Sequence, residues 1–153
     1  MPIEVFSRIR DGSINVINEN QNLCNIKFKG KTDDNKFTIN KIWREKTSNE
    51  IIFNDLIERT TNYNDSYWCS FGYTGSGKTY TTNGILKLLL DYYLRKPVSV
   101  EFSAFQIYNE KVYDMMSNNI QLKIWKTTNL QLKNLTKKTV VNSETILQTI
   151  QQL

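Results

Sequence analysis

The sequence predicts a three-layer α/β domain with a mainly parallel or mixed central sheet. Three observations lead there. Residues 3–10 and several later runs alternate apolar and polar side chains, the period of two that a half-buried strand requires. Residues 47–60 and 79–94 instead space their apolar side chains three and four apart, as a helix lying on a sheet does. Between the aromatic-rich run Ser66-Tyr67-Trp68-Cys69-Ser70-Phe71 and the second helical segment stands a cluster of glycines, as where a buried strand turns tightly into a helix.

The elements follow in order. Residues 3–10 form the first strand, and Asp11-Gly12-Ser13 is a turn. Residues 14–17 and 23–28 are two further strand candidates, with polar connections that contain Gly30 and Asp33-Asp34. Residues 36–42 are a short extended stretch ending near Trp43. Thr47-Ser48-Asn49-Glu50 has the spacing of a capping box, and Ile52/Leu56 and Phe53/Ile57 are i, i+4 pairs, so a helix starts there and fades by Thr60. A polar loop, 61–65, leads into the aromatic run.

Beyond the glycines, Asn83-Gly84 interrupts the helical pattern, which resumes from Ile85 to Leu94 with its leucines as a sheet-packing face. Pro97 stops the helix, and residues 98–107 read as a strong strand. Residues 108–114 read as a short helical or turn segment. Residues 122–125 and 130–141 are strand and loop, carrying Lys123, Lys126, Lys133, Lys137 and Lys138. Asn142-Ser143 cap a final helix with Ile146, Ile150 and Leu153 on one face. No internal repeat or low-complexity linker divides residues 1–153, which read as a single domain.

Composition narrows the function. A 153-residue chain with 39% hydrophobic residues is large enough for a core and outside the disordered range. Its apolar runs are too short to span a membrane, and its N-terminus lacks the pattern of a signal peptide. Cys24 and Cys69 allow one bridge at most, and both read as structural thiols in strand-like settings of a reducing cytosol. The absence of histidine removes imidazole acid–base chemistry and most zinc geometries. A net charge of +5 favours an acidic partner, whether nucleotide, nucleic acid or protein surface.

The most specific motif is Gly72-Tyr73-Thr74-Gly75-Ser76-Gly77-Lys78-Thr79, which fits G-x-x-x-x-G-K-S/T, the P-loop that wraps nucleotide phosphates. Glycines let the backbone take positive dihedrals and come close to an anion. Successive amides from Gly75 to Lys78 can form an anion-binding nest at the positive end of the following helix. Lys78 supplies a mobile charge to the outer phosphates, and the Thr79 hydroxyl completes a Mg²⁺ shell. A chance Gly/Ser turn with a lysine is the plain alternative, and a strand before with a helix after argues against it.

Further motifs give the loop a family. Residues 3–10 resemble the opening strand with R-x-R-P of the kinesin motor domain, and residues 37–43 resemble its F-x-F-D-x-V-F segment. Residues 64–80 are similar to Y-N-x-x-I-x-A-Y-G-Q-T-G-S-G-K-T-Y, and residues 102–114 to V-S-F-L-E-I-Y-N-E-x-V-Y-D. The chain resembles the first half of that motor domain over nearly its whole length, so a kinesin-type P-loop NTPase fold is expected. The resemblance implies ATP or ADP with Mg²⁺ as ligands, a microtubule partner, microtubule-based movement, and a cytoplasmic, cytoskeleton-associated protein. It places Arg8 and Arg10 near the adenine and Tyr80 stacked on it, where surface arginines and a helix-covering tyrosine are the plain alternatives. Lys133, Lys137 and Lys138 fall where kinesins have a microtubule-touching loop, or else they form a solvated basic loop.

The departures from the pattern matter. Asp11 stands for the proline of R-x-R-P, Tyr73 for the usual glutamine, Gln106 for a glutamate, and Asn134 for a common glycine. Asn tolerates positive φ best after glycine. The family's switch motifs, N-x-x-S-S-R-S-H and D-L-A-G-S-E, do not occur in these residues. Positioning the attacking water belongs to such switches, so no catalytic residue is assigned. The expectation is a domain that binds ATP with Mg²⁺ and hydrolyses it poorly. An inactive module binding tubulin or a partner subunit is the alternative, and the 153 residues also read as a fragment of a longer motor. Missing strands beside the P-loop strand would leave unpaired edges. A nucleotide kinase or helicase would need an acidic strand end, for which Glu101 is the only candidate.

Overall fold

A computed structural model describes residues 3–9, 14–19, 24–28, 37–126 and 130–151. The expected turn at 11–13, the connections with Gly30 and Asp33-Asp34, and Arg10 lie outside the described residues. The chain divides into two compact units, Met1–Ser66 and Tyr67–Leu153. Among the described residues the strands fall into five small sheets of two or three strands each. No helix is long and apolar enough to cross a membrane.

In the first unit, strand β1 (Phe6–Arg8) pairs in parallel with β5 (Lys41–Trp43), Phe6 opposite Lys41 and Arg8 opposite Trp43. Between them in sequence, β2 (Ile14–Glu19), β3 (Cys24–Phe28) and β4 (Phe37–Ile39) form an antiparallel meander, with a register shift between Val16 and Asn18. Helix α1 (Asn49–Thr60) begins one residue later than the Thr47–Glu50 capping-box spacing expects. Its N-cap is Ser48, whose Oγ accepts the Ile51 amide at 3.3 Å. Ile52 and Phe53 are buried, as are Ile9, Ile39, Ile42 and Trp43.

Two polar ties dress this core. Trp43 stacks on Phe6 with ring centroids 5.1 Å apart, and its indole donates to Asp55 at 2.8 Å. Lys41 reaches the same carboxylate at 2.7 Å. Burial by itself raises the Asp55 pKa, but these two donors and the nearby Arg59 outweigh it and hold the carboxyl below its ordinary value.

In the second unit, helix α2 (Lys78–Leu94) runs unbroken through Asn83-Gly84, so the expected interruption does not occur. Propensity at one Asn-Gly pair costs about 1 kcal/mol, which the packing of a 17-residue helix overrides. Leu90 is buried together with Val140 and with Ile146 of α3 (Ser143–Gln151), and Leu86, Leu94, Val100 and Phe102 pack against them. Ser143, at the start of α3, donates to Asp91 of α2, while Asn142 Oδ1 accepts the Glu144 amide at 2.8 Å.

The expected strand 98–107 is two pieces, because it changes partners. β6 (Glu101–Phe102) pairs with β12 (Lys138–Thr139), whereas β7 (Phe105–Tyr108) pairs with β8 (Lys111–Asp114). The helical or turn reading of 108–114 is also corrected. Asn109 and Glu110 take φ of +48° and +62°, the two positive dihedrals of a type I′ turn, and join β7 to β8 as a tight hairpin. β9 (Ile120–Leu122) completes that sheet, and β10 (Ile124–Lys126) pairs with β11 (Leu130–Leu132).

The aromatic run before the glycines does not form a strand either. Residues 65–73 have no sheet partner, Tyr67 is 85% exposed and Phe71 100% exposed. An apolar extended segment becomes a strand only when another strand satisfies its amides and carbonyls, and none of the described residues does so here. Cys69 in this run is an exposed free thiol and not a buried one.

Candidate functional site

The glycine cluster has the shape its residue types demand. Gly75 and Gly77 hold φ of +81° and +91°, a region closed to most side chains, and a Cβ on either would meet nothing within 4 Å. Open space therefore lies beside the backbone at both positions, as close approach of an anion requires. Gly72 is different: a Cβ there would stand 2.7 Å from Ser76 Oγ, so the loop closes on itself at that point.

Gly77 is the N-cap of α2, and its carbonyl takes the Thr81 amide at 3.0 Å. The amides of Lys78 and Thr79 consequently have no i−4 carbonyl inside the helix. They sit at the positive end of a 17-residue helix dipole with no acidic residue in its first turn. The Ser76 amide donates to Tyr73 O at 3.2 Å, so the nest expected from Gly75 to Lys78 is used in part by the loop's own turn. Lys78 Nζ folds back across the loop and donates to the carbonyls of Gly72 and Tyr73, 2.8 Å each. Thr74 and Thr79 are exposed, and Tyr80 is 68% exposed at the start of the helix.

Arg8, in the first unit, is anchored within it: its guanidinium donates to Asn49 Oδ1 and Thr47 O at 2.9 Å each. The sequence offered a base contact or a solvated surface arginine for Arg8, and the contact with the entry of α1 was not expected. Among the described residues no group of acidic, cysteine or histidine side chains could hold a metal ion by itself. A Mg²⁺ here would rest on the Thr79 hydroxyl and on oxygens of the nucleotide, which the donor chemistry of the loop fits.

The basic segment is also well defined. Lys133, Lys137 and Lys138 are exposed, with Lys137 Nζ 3.5 Å from Glu101. Asn134 has φ of +64°, the conformation foreseen for the residue that replaces a glycine. Sequence reasoning found these lysines but missed Asp114, whose carboxylate lies beneath them.

A phosphate-loop geometry on a mixed α/β framework defines the class, and comparison with known proteins defines the family. The profile described as "Kinesin motor domain" matches residues 7–153, and the chain belongs to that family. It is 25% identical over 170 residues to the kinesin heavy chain of Syncephalastrum racemosum, covering 94% of this chain and 18% of that protein. Among solved structures, the C-terminal motor and motor homology domain of Kar3Vik1 fused to a synthetic heterodimeric coiled coil superposes with a TM-score of 0.73 at 18% identity, over 97% of this chain and 49% of that one. A KIF14 dimer in a two-heads-bound state, with AMP-PNP and in complex with a microtubule, gives a TM-score of 0.68 at 16% identity, over 97% and 52%. The chain thus spans about half the length of these motor structures and under a fifth of the curated relative.

Proposed function

We propose that this chain binds ATP with Mg²⁺ at residues 72–79 as the nucleotide-binding part of a microtubule motor. The observation that carries the reading is the loop itself: Gly75 and Gly77 at positive φ, open space beside them, and first-turn amides at a helix start. Lys78 exchanges or shares its two loop carbonyls with the outer phosphates, and Thr79 offers its hydroxyl to Mg²⁺. Arg8, Arg10 and Tyr80 are assigned to the base by family likeness. The nucleotide analogue in the similar KIF14 structure supports a nucleotide as the ligand.

What these residues do is bind and orient. The loop amides and Lys78 spread the phosphate charge, and Mg²⁺ adds Lewis-acid polarisation where present. Neither switch motif occurs in the 153 residues, so binding without efficient turnover is the proposal for them. Isothermal titration with ATP and Mg²⁺ tests it against Lys78→Ala. Clear heat from the native chain and none from the variant supports the site, and equal heats reject it.

A second surface has its own observation. Lys133, Lys137 and Lys138 are exposed within six residues of one another, and the microtubule complex of the similar KIF14 motor makes a microtubule the partner to test. Co-sedimentation with stabilised microtubules at low salt tests this, and loss of pelleting in the Lys137→Ala/Lys138→Ala double variant is the expected outcome.

A further inference from the structure

The basic turn is tied down by one buried carboxylate. Asp114, the last residue of β8, is 1% exposed. Its Oδ2 accepts the Thr136 amide and its Oδ1 the Met116 amide, both at 2.8 Å. Leu135 and Thr136 are half-buried, whereas Lys133, Asn134, Lys137 and Lys138 are exposed. The turn therefore inserts its middle and presents its cations. Downstream it is tied again, by the β12–β6 pairing and by the Val140 amide on Val100 O at 2.8 Å. Lys137 stands between the two anchors, and Lys138 opens the second.

We propose that Asp114 is a positioning residue for binding an acidic protein surface, holding residues 133–138 so that their lysines meet the partner's carboxylates together. The proposal rests on the reading of that turn as microtubule-facing. Its physical content is preorganisation. Residues ordered before association subtract nothing from affinity, while residues ordered during it do. An asparagine could accept from only one of the two amides, because its NH₂ would face the other donor. Glu101 acts in the opposite sense, since its carboxylate draws the Lys137 ammonium to itself at 3.5 Å.

The test is pelleting with stabilised microtubules across a salt series, well below the melting temperature, together with amide exchange at Thr136. Asp114→Asn should weaken binding by roughly tenfold, the order expected when about one more residue must be ordered on binding. It should also flatten the salt dependence, because fewer charges engage at once, and loss of folded protein alone would not do that. Glu101→Gln should strengthen binding. If Lys137→Ala/Lys138→Ala weakens binding while Asp114→Asn matches the native chain, the positioning role is overturned and the surface stands. If the double lysine variant binds like the native chain, the surface reading fails and the inference with it. Should Asp114→Asn not fold, exchange in the native chain decides: a Thr136 amide as fast as that of Lys133 overturns the proposal.

Discussion

Lys78 Nζ lies 2.8 Å from the carbonyl oxygen of Gly72, six residues earlier, and at the same distance from that of Tyr73. The lysine thus closes the loop whose ligand it is proposed to hold. Removing it deletes a cation from the phosphates and two hydrogen bonds from the loop. Charge-assisted bonds contribute about 1.5–3 kcal/mol each when a partner is lost. Lys78→Ala should therefore lower ATP affinity by roughly a hundredfold, about 2.7 kcal/mol, as read by titration calorimetry with Mg²⁺ present. An unchanged dissociation constant would remove the loop from consideration as the phosphate site.

The glycines separate strain from space. At Gly77 a Cβ meets nothing within 4 Å, so Gly77→Ala carries only the backbone term of φ +91°, about 1–2 kcal/mol. At Gly72 the Cβ would also strike Ser76 Oγ at 2.7 Å. Gly72→Ala should be the more destabilising in urea titration, and adding Ser76→Ala should recover part of its loss but none of the loss from Gly77→Ala. Recovery of both, or of neither, would show that the contact does not limit the loop.

The contrast between what was and was not legible follows the range of the interactions. Helix starts near residues 47–50 and 78–79 and the positive φ of Asn134 are dictated within a few residues, and sequence reading found them to within a residue or two. The α/β class and the family came from local motifs as well. Partner choice is non-local. Whether 65–73 pairs, whether 98–107 stays with one neighbour, and where the Asp114 carboxylate finds its donors depend on residues far away in sequence. The hairpin around Asn109-Glu110, read as a helical or turn segment, was missed for another reason: a type I′ turn prefers glycine second, and Glu110 at φ +62° gives no such signal.

Asp114 carries a pH prediction. Burial alone raises its pKa, but the Thr136 and Met116 donors and the nearby Lys138 outweigh that, leaving the native value below the ordinary 3.8. A depressed native pKa means the unfolded chain takes up the proton first as pH falls. The stabilisation is thus complete above the ordinary aspartate range and is lost as pH falls from there through the native value. Asp114→Asn should cost about 1–3 kcal/mol at pH 7. That deficit should shrink below about pH 4, where the native chain loses its own advantage. Urea titrations of both proteins across this range measure it, and a deficit that grows with acid would contradict the sign.

Arg8 is the residue whose two roles are most easily confused. Its guanidinium spans Asn49 Oδ1 and Thr47 O, so it ties β1 to the entry of α1 whatever it does for a nucleotide base. Truncation leaves both acceptors without this donor, and the expected loss is about 1–3 kcal/mol of stability in the first unit. Arg8→Lys cannot reproduce the planar two-point geometry and should recover less than half of that. Amide exchange should quicken first in residues 47–53, ahead of the rest of α1. If Arg8→Ala instead melts with the native chain and weakens only ATP binding, the guanidinium is a base ligand and its contacts with 47–49 are incidental.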